Sequence, residues 1–113
     1  MITMLEFDIK SDLPTVDEAK HRLISILSEC RKTEKVIKII HGYGSSGVGG
    51  TIKKAVHLLL MMQRNAHMIK SFIPGEAIAL MRGYDEDIRR YKHWIEKDSD
   101  FHKGNDGITY VIF

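Results

Sequence analysis

The sequence predicts an α/β protein, an α+β sandwich with a mixed sheet of about four strands, two main helices and a short inserted helix. The chain has 113 residues, the length of one domain, and strand-like and helix-like apolar patterns alternate along it. The composition is 43% apolar and 28% charged with only two prolines, which is typical of a globular protein. We therefore expect residues 1–113 to form a single domain.

The first third of the chain is predicted to be a strand, a helix and a strand. Apolar and charged residues alternate in MLEFDIK at 4–10, as they do in a strand with one buried face. Thr15 followed by Glu18 forms a capping-box pattern, and the amphipathic helix that it opens should end near Thr33. The β-branched run VIKII at 36–40 indicates a strand buried on both faces. Two strands joined by one helix predict a parallel, right-handed βαβ unit.

The rest of the chain is less regular. The glycine-rich run HGYGSSGVGG at 41–50 precedes an amphipathic helix expected over 51–64, and HMIKSFI at 67–73 is a plausible third strand. A short helix is expected to open at Asp85, and ITYVIF at 108–113 follows a turn signal and should form the closing strand.

The net charge of +2 hides an uneven distribution. Residues 35–75 hold six basic side chains and no acidic one, whereas each flanking segment carries a net charge of −2. This middle segment is a candidate anion-binding surface, with the alternative that its cations simply cover the solvent face of a helix. The six are Lys35, Lys38, Lys53, Lys54, Arg64 and Lys70.

Other sequence features indicate where the protein is located and whether it holds a cofactor. Cys30 is the single cysteine, which excludes an intrachain disulfide and fits a cytoplasmic protein. The longest apolar run, 58–62, is too short to span a membrane, so we expect no membrane association. The histidines lack the spacing of a metal site, and no resident cofactor is expected. The histidines considered are His57, His67, His93 and His102.

The glycine-rich run nearly matches two nucleotide-binding motifs. Gly50 stands where the phosphate loop of nucleoside triphosphatases requires a lysine, which argues against ATP or GTP hydrolysis. The run also fits the dinucleotide pattern, but no acidic residue lies between Glu34 and Glu76 to hold a ribose. Both functions are therefore disfavoured.

The run IIHGYGSSGVGGTIKKAVHLLL at 39–60 resembles the signature of the small MutS-related (Smr) domain, in which a strand leads into His-Gly-x-Gly and an amphipathic helix. FDIK and LPTVDEA resemble the family's first strand and helix opening, and the strand from Gly107 resembles its closing strand. The resemblance covers most of the chain and suggests a small, stand-alone, bacterial-type member. Residues 76–106 form a longer link than is usual in the family.

The resemblance implies a fold similar to the C-terminal domain of translation initiation factor three, DNA or RNA as partner, and nuclease activity as reported for family members. His41, Gly42 and Gly44 occupy the His-Gly-x-Gly positions, and Asp8 is the aspartate of the first-strand motif. Lys10 replaces the histidine of that motif. Since an exposed lysine does not exchange protons near neutral pH, at most weak endonuclease activity is expected.

Two residues are candidates for catalysis. His41 is the candidate proton-transfer group, with Asp8 as its orienting residue or as a ligand of a divalent cation such as Mg²⁺ if the protein cleaves. The alternatives are that the His41 ring only fixes the turn and that Asp8 is a solvated strand residue.

More residues are suited to binding nucleic acid than to cleaving it. Loop amides and hydroxyls and two lysines are suited to phosphate oxygens, and an aromatic ring can stack on a base. An alternative is a non-catalytic module that binds a protein or a small phosphorylated ligand, which the near-zero net charge favours. The candidate nucleic-acid-binding residues are Lys10, Gly42, Tyr43, Gly44, Ser45, Ser46, Lys53 and Lys54.

Overall fold

The computed structural model describes residues 4–42, 48–80 and 83–113. Strands and helices alternate in the first half, and two helices separate the last two strands. The elements are β1 (Leu5–Asp8), α1 (Val16–Cys30), β2 (Val36–Ile40), α2 (Val48–Asn65), β3 (Ser71–Pro74), α3 (Gly75–Leu80), α4 (Asp85–Ile95) and β4 (Ile108–Ile112).

The four strands form one mixed sheet in the order β1-β2-β4-β3. β1 and β2 are parallel, whereas β4 is antiparallel to both β2 and β3. The predicted α/β class, the mixed four-stranded sheet and the parallel βαβ unit are thus confirmed. β2 and β4 occupy the centre of the sheet, as predicted for β2 from its nearly continuous apolar sequence.

The two faces of the sheet are covered by different helices. Residues of α1 and α2 pack on one face against Ile37, Ile39 and Val111. Residues of α4 pack on the other face against Val36 and Tyr110, which alternate with the first set along the strands. The alternation therefore divides the buried side chains into two cores, one on each face.

Local sequence signals account for the start of α1. The Thr15 hydroxyl accepts a hydrogen bond from the Glu18 backbone N–H at 3.1 Å, and the Glu18 carboxylate accepts one from the Thr15 N–H at 3.2 Å. The predicted capping box is confirmed. These hydrogen bonds also lower the pKa of Glu18.

A buried ionic cluster attaches the segment after α4 to the sheet. Lys38, in the middle of β2, is 4% exposed, and its Nζ donates to Asp98 at 3.1 Å and to Asp100 at 2.8 Å. The Tyr110 hydroxyl also donates to Asp98, at 2.7 Å. Burial alone would lower the pKa of Lys38, but its hydrogen bonds with Asp100 and Asp98 outweigh burial and raise it.

Some boundaries differ from the predicted ones. α2 begins at Val48 rather than at residue 51, because it includes two glycines whose low helix propensity weakens the signal there. β3 is shorter than 67–73, because His67 has a positive φ of 61° and the chain turns before Ser71. The short helix α3 was not expected, since its six residues are too few to show a clear helical period. None of the helices in the described ranges is both long and apolar enough to span a bilayer.

Candidate functional site

The carboxyl ends of β1 and β2 lie side by side at one edge of the sheet. Asp8 is opposite Ile40 in the parallel register, and the Ile9 N–H donates to the Ile40 carbonyl at 3.1 Å. α2 begins shortly after Gly42 and has no acidic residue in its first turn. In open α/β sheets, ligands bind at the carboxyl ends of the strands. We call this part of the molecule, with Asp8, Lys10, Gly42 and the amino end of α2, the loop edge.

Lys10 lies directly over Gly42. A Cβ atom added at Gly42 would lie 2.9 Å from Lys10 Cδ, a contact that the flexible lysine side chain can relieve by moving. The φ of Gly42 is +85°, and this backbone conformation favours glycine. The Lys10 Nζ is 3.4 Å from the Asp8 Oδ2, and the Lys10 backbone N–H donates to the Asp8 Oδ1 at 2.9 Å. The Lys10 and Asp8 side chains are 47% and 41% exposed. The ion pair is therefore open to solvent and to competing anions.

The His41 ring is fully buried next to the loop edge. Its Nδ1 is 3.0 Å from the Gly42 carbonyl oxygen, and its Nε2 is 2.8 Å from the Thr109 hydroxyl. The backbone N–H groups of His41 and Gly42 both donate to the Gly107 carbonyl oxygen. Burial lowers the pKa of His41, so the ring is neutral at pH 7.

The Thr109 hydroxyl connects two histidines, because His57 Nε2 lies 3.0 Å from the same oxygen. A carbonyl oxygen can only accept, so His41 carries its proton on Nδ1 and its Nε2 accepts from Thr109. The Thr109 oxygen then accepts from His57 Nε2–H. Burial lowers the pKa of His57 to about 4, so both rings are neutral at pH 7. This chain of hydrogen bonds joins β2, β4 and α2 behind the loop edge.

The chain matches the family model of the Smr domain over residues 12–80, which is more than half of its length. The chain belongs to the Smr domain family. The Smr domain is generally a nucleic-acid-binding or nuclease-like domain. No match was found among curated proteins or solved structures. The similarity to the C-terminal domain of translation initiation factor three therefore stays a prediction.

The matched range extends from the turn before α1 to the end of α3. It includes the His-Gly-x-Gly motif, but Asp8 and Lys10 precede it and the segment from Gly83 follows it. α4 lies outside the matched range, and the ionic cluster joins Lys38 inside that range to Asp98 and Asp100 outside it. Asp8 and Lys10 therefore lie outside the family match but within the loop edge, next to the His-Gly-x-Gly motif that the match includes.

The structure distributes the six cations of the middle segment unevenly. Lys38 is removed from the surface by its aspartate partners, and Lys53 forms an ion pair with Glu76. Lys38 therefore does not contribute to the candidate anion-binding surface, because a lysine can be buried when carboxylates from later in the chain compensate its charge. Lys54 is exposed on α2 near the loop edge.

The predicted site residues fall into three groups. Asp8, Lys10 and Gly42 converge at the loop edge, whereas the polar contacts of His41 are with Thr109 and the adjacent backbone. Tyr43, Gly44, Ser45 and Ser46 lie outside the described residues. Within the described ranges, no three acidic, histidine or cysteine side chains are grouped as metal ligands would be.

Sequence reasoning missed Thr109 and the role of His57. Thr109 is the one residue of β4 with an aliphatic hydroxyl, and it is buried behind His41. The sequence signal for this contact is a polar residue in an apolar strand, because a buried polar side chain needs a hydrogen-bond partner.

Proposed function

We propose that this Smr domain binds DNA or RNA through backbone phosphates at the loop edge. The position of Lys10 over Gly42 carries the proposal, because it brings a half-exposed cation to the first turn of the family's signature loop. An exposed ion pair such as that of Lys10 with Asp8 is worth at most about 1 kcal/mol, so a phosphate oxygen can compete for the lysine.

The amino end of α2 supports the same proposal. The first-turn amides of a helix are not used within the helix, and they attract anions together with the helix dipole. Lys54 is exposed near this helix end, and the proposed contacts include the Gly44 amide, the hydroxyls of Ser45 and Ser46, and the Tyr43 ring. The Gly42 N–H already donates to the Gly107 carbonyl oxygen, so the proposed role of Gly42 is to let a phosphate approach the backbone closely. Lys53 contributes less in this proposal, because its ammonium is paired with Glu76.

We infer that binding is the main activity and that cleavage is weak at most. A general acid or base must reach the proton it transfers, whereas the His41 ring is 0% exposed and both its nitrogens have partners within the protein. Its lowered pKa also keeps it uncharged at neutral pH. These observations support the interpretation that His41 fixes the turn of the loop. A catalytic His41, with Asp8 and a divalent cation such as Mg²⁺, stays a prediction.

The binding test uses fluorescence anisotropy with labelled single-stranded DNA, single-stranded RNA and duplex DNA at low salt. We expect Lys10→Gln to weaken binding of the preferred probe by about fivefold to tenfold, the loss of one charge-assisted phosphate contact. Lys92→Gln is the matched control, since Lys92 is exposed on α4 at the other face of the sheet. Equal affinities of Lys10→Gln and Lys92→Gln would contradict the proposal.

A second candidate function is a non-catalytic module that binds a protein or a small phosphorylated ligand. The ion pairs of Lys38 and Lys53 favour it, because they reduce the free positive charge of the middle segment. Absence of nucleic-acid binding at low salt would leave this second candidate, since phosphate-driven binding is strongest there. Cytoplasmic location is part of both proposals.

The cleavage test uses supercoiled plasmid and structured RNA, with and without Mg²⁺. We expect weak cleavage at best from the wild type. Robust wild-type cleavage that is abolished in a His41→Ala variant with unchanged circular dichroism and unchanged oligonucleotide binding would show that His41 is catalytic.

A further inference from the structure

A second concave surface lies at the edge of the sheet opposite the loop edge. Lys70 immediately precedes β3 and Phe113 follows β4. At this edge Ile112, the last residue of β4, pairs with Val36 at the amino end of β2 and with Ser71 at the amino end of β3. The cavity has a volume of about 610 Å³. We call it the distal cleft and define it by Arg31, Arg64, Lys70, Arg90, Tyr91 and Phe113, which line it.

We propose that the distal cleft binds a small phosphate ester with at least two negative charges, of which a nucleoside diphosphate is the representative. This inference concerns a site separate from the loop edge and does not depend on nucleic-acid binding there.

The charge of the distal cleft supports an anionic ligand. Four basic side chains converge on it and no acidic side chain lines it. Within the described residues, none of these four cations has a carboxylate oxygen within 4.0 Å, whereas Lys10, Lys38 and Lys53 each have one. The four cations at this edge are therefore available to a ligand.

Arg31 provides a second and independent observation. Its Nε is buried and has no hydrogen-bond partner among the described residues. Buried donors without acceptors are rare in folded proteins, and a guanidinium pairs well with phosphate oxygens. The wall of the distal cleft thus contains a cationic donor group whose hydrogen-bonding capacity the protein does not fully use.

Structural roles explain only part of this cluster. Arg31 follows the last residue of α1 and Arg64 lies in the last turn of α2, where cations interact favourably with the helix dipole. The Arg64 guanidinium also lies 5.1 Å from the centre of the Phe72 ring. Neither role applies to Lys70, which precedes a strand, or to Arg90, which lies in the middle of α4.

The shape of the distal cleft indicates a small ligand rather than an extended strand. The four cations come from separate parts of the chain and surround one cavity, which suits a compact polyanion, whereas a nucleic-acid backbone requires cations along a path. The volume is in the range of small-molecule sites, which extends over roughly 300–1,000 Å³. Tyr91 and Phe113 supply apolar surface for the organic part of the ester.

The test is isothermal titration of the full chain at low salt with ADP, inorganic pyrophosphate and adenosine. We expect saturable binding of ADP and pyrophosphate and none of adenosine, because the phosphates supply the attraction. Absence of saturable ADP binding would overturn the proposal, as would adenosine binding as tightly as ADP.

Arg90→Gln and Arg89→Gln are matched variants, since both arginines are exposed neighbours on α4 and only Arg90 lines the distal cleft. We expect Arg90→Gln to weaken ADP binding about tenfold, the loss of one charged hydrogen bond, and Arg89→Gln to leave it unchanged. Lys70→Gln is a second cleft variant with the same expected loss. Equal weakening by Arg89→Gln and Arg90→Gln would overturn the site.

The two proposed sites are distinguished by testing each variant with the ligand of the other site. Lys10→Gln should leave ADP binding unchanged, and Arg90→Gln should leave oligonucleotide binding unchanged. Loss of both ligands in Arg90→Gln would show that the cleft is part of the nucleic-acid surface and would overturn the separate site. Failure of the Lys10→Gln test alone would concern only the proposed nucleic-acid function.

Discussion

Replacing Thr109 by valine removes the hydroxyl that joins His41 to His57 while keeping the shape of the side chain. Two ring nitrogens, at 2.8 and 3.0 Å from the hydroxyl oxygen, then lose their partner. A buried polar group left without a partner costs about 1–3 kcal/mol. His41 is fully buried and His57 only partly so, which gives an expected loss of about 2–4 kcal/mol in the free energy of unfolding.

Urea unfolding at pH 7 measures this loss, with Thr109→Ser as the control. Serine keeps the hydroxyl and loses one buried methyl group, so its cost should be only about 1 kcal/mol. The reasoning would be refuted if Thr109→Val were within about 0.5 kcal/mol of the wild type, the range typical of neutral substitutions. A serine variant as unstable as the valine variant would show that packing, and not the hydrogen bonds, stabilises this position.

Three further predictions concern stability. Lys38→Met should lower the free energy of unfolding by about 3–5 kcal/mol in urea, because it leaves two largely buried aspartates without their cation; a loss under 1 kcal/mol would contradict this. Gly75→Ala should cost about 1–3 kcal/mol, since a Cβ there would collide with the Asn105 carbonyl oxygen, and an unchanged melting temperature would contradict it. His57 has its pKa lowered to about 4 by burial, so the folded state binds fewer protons than the unfolded chain. Stability should therefore be complete above pH 6.5 and fall by up to about 2 kcal/mol by pH 4.5, and His57→Gln should flatten this dependence.

The elements formed by local signals were predictable. The capping box of α1 depends on residues three apart, and the alternation in β1 and the apolar run of β2 depend on five to seven neighbouring residues. The parallel pairing of these strands was predictable from the helix that connects them, because parallel strands need such a crossover. This pairing brings the carboxyl ends of β1 and β2 to the same edge of the sheet, where Lys10 lies beside Gly42.

Features that depend on contacts far apart in sequence were not predictable from pattern. Lys38 meets carboxylates 60 and 62 residues later, and His41 meets a hydroxyl 68 residues later. Periodicity describes which face a side chain occupies and not which partner it finds there. The distal cleft was not predictable for the same reason, because its four cations come from separate parts of the chain that only folding brings together.

In the proposed function, Lys10 binds nucleic-acid phosphates at the loop edge. The most direct measurement is the slope of the logarithm of the binding constant against the logarithm of salt concentration, for wild type, Lys10→Gln and the control Lys92→Gln. We predict a slope about one unit less steep in Lys10→Gln, because one phosphate contact is lost, and wild-type slope in the control. Identical slopes in all three proteins would contradict the claim.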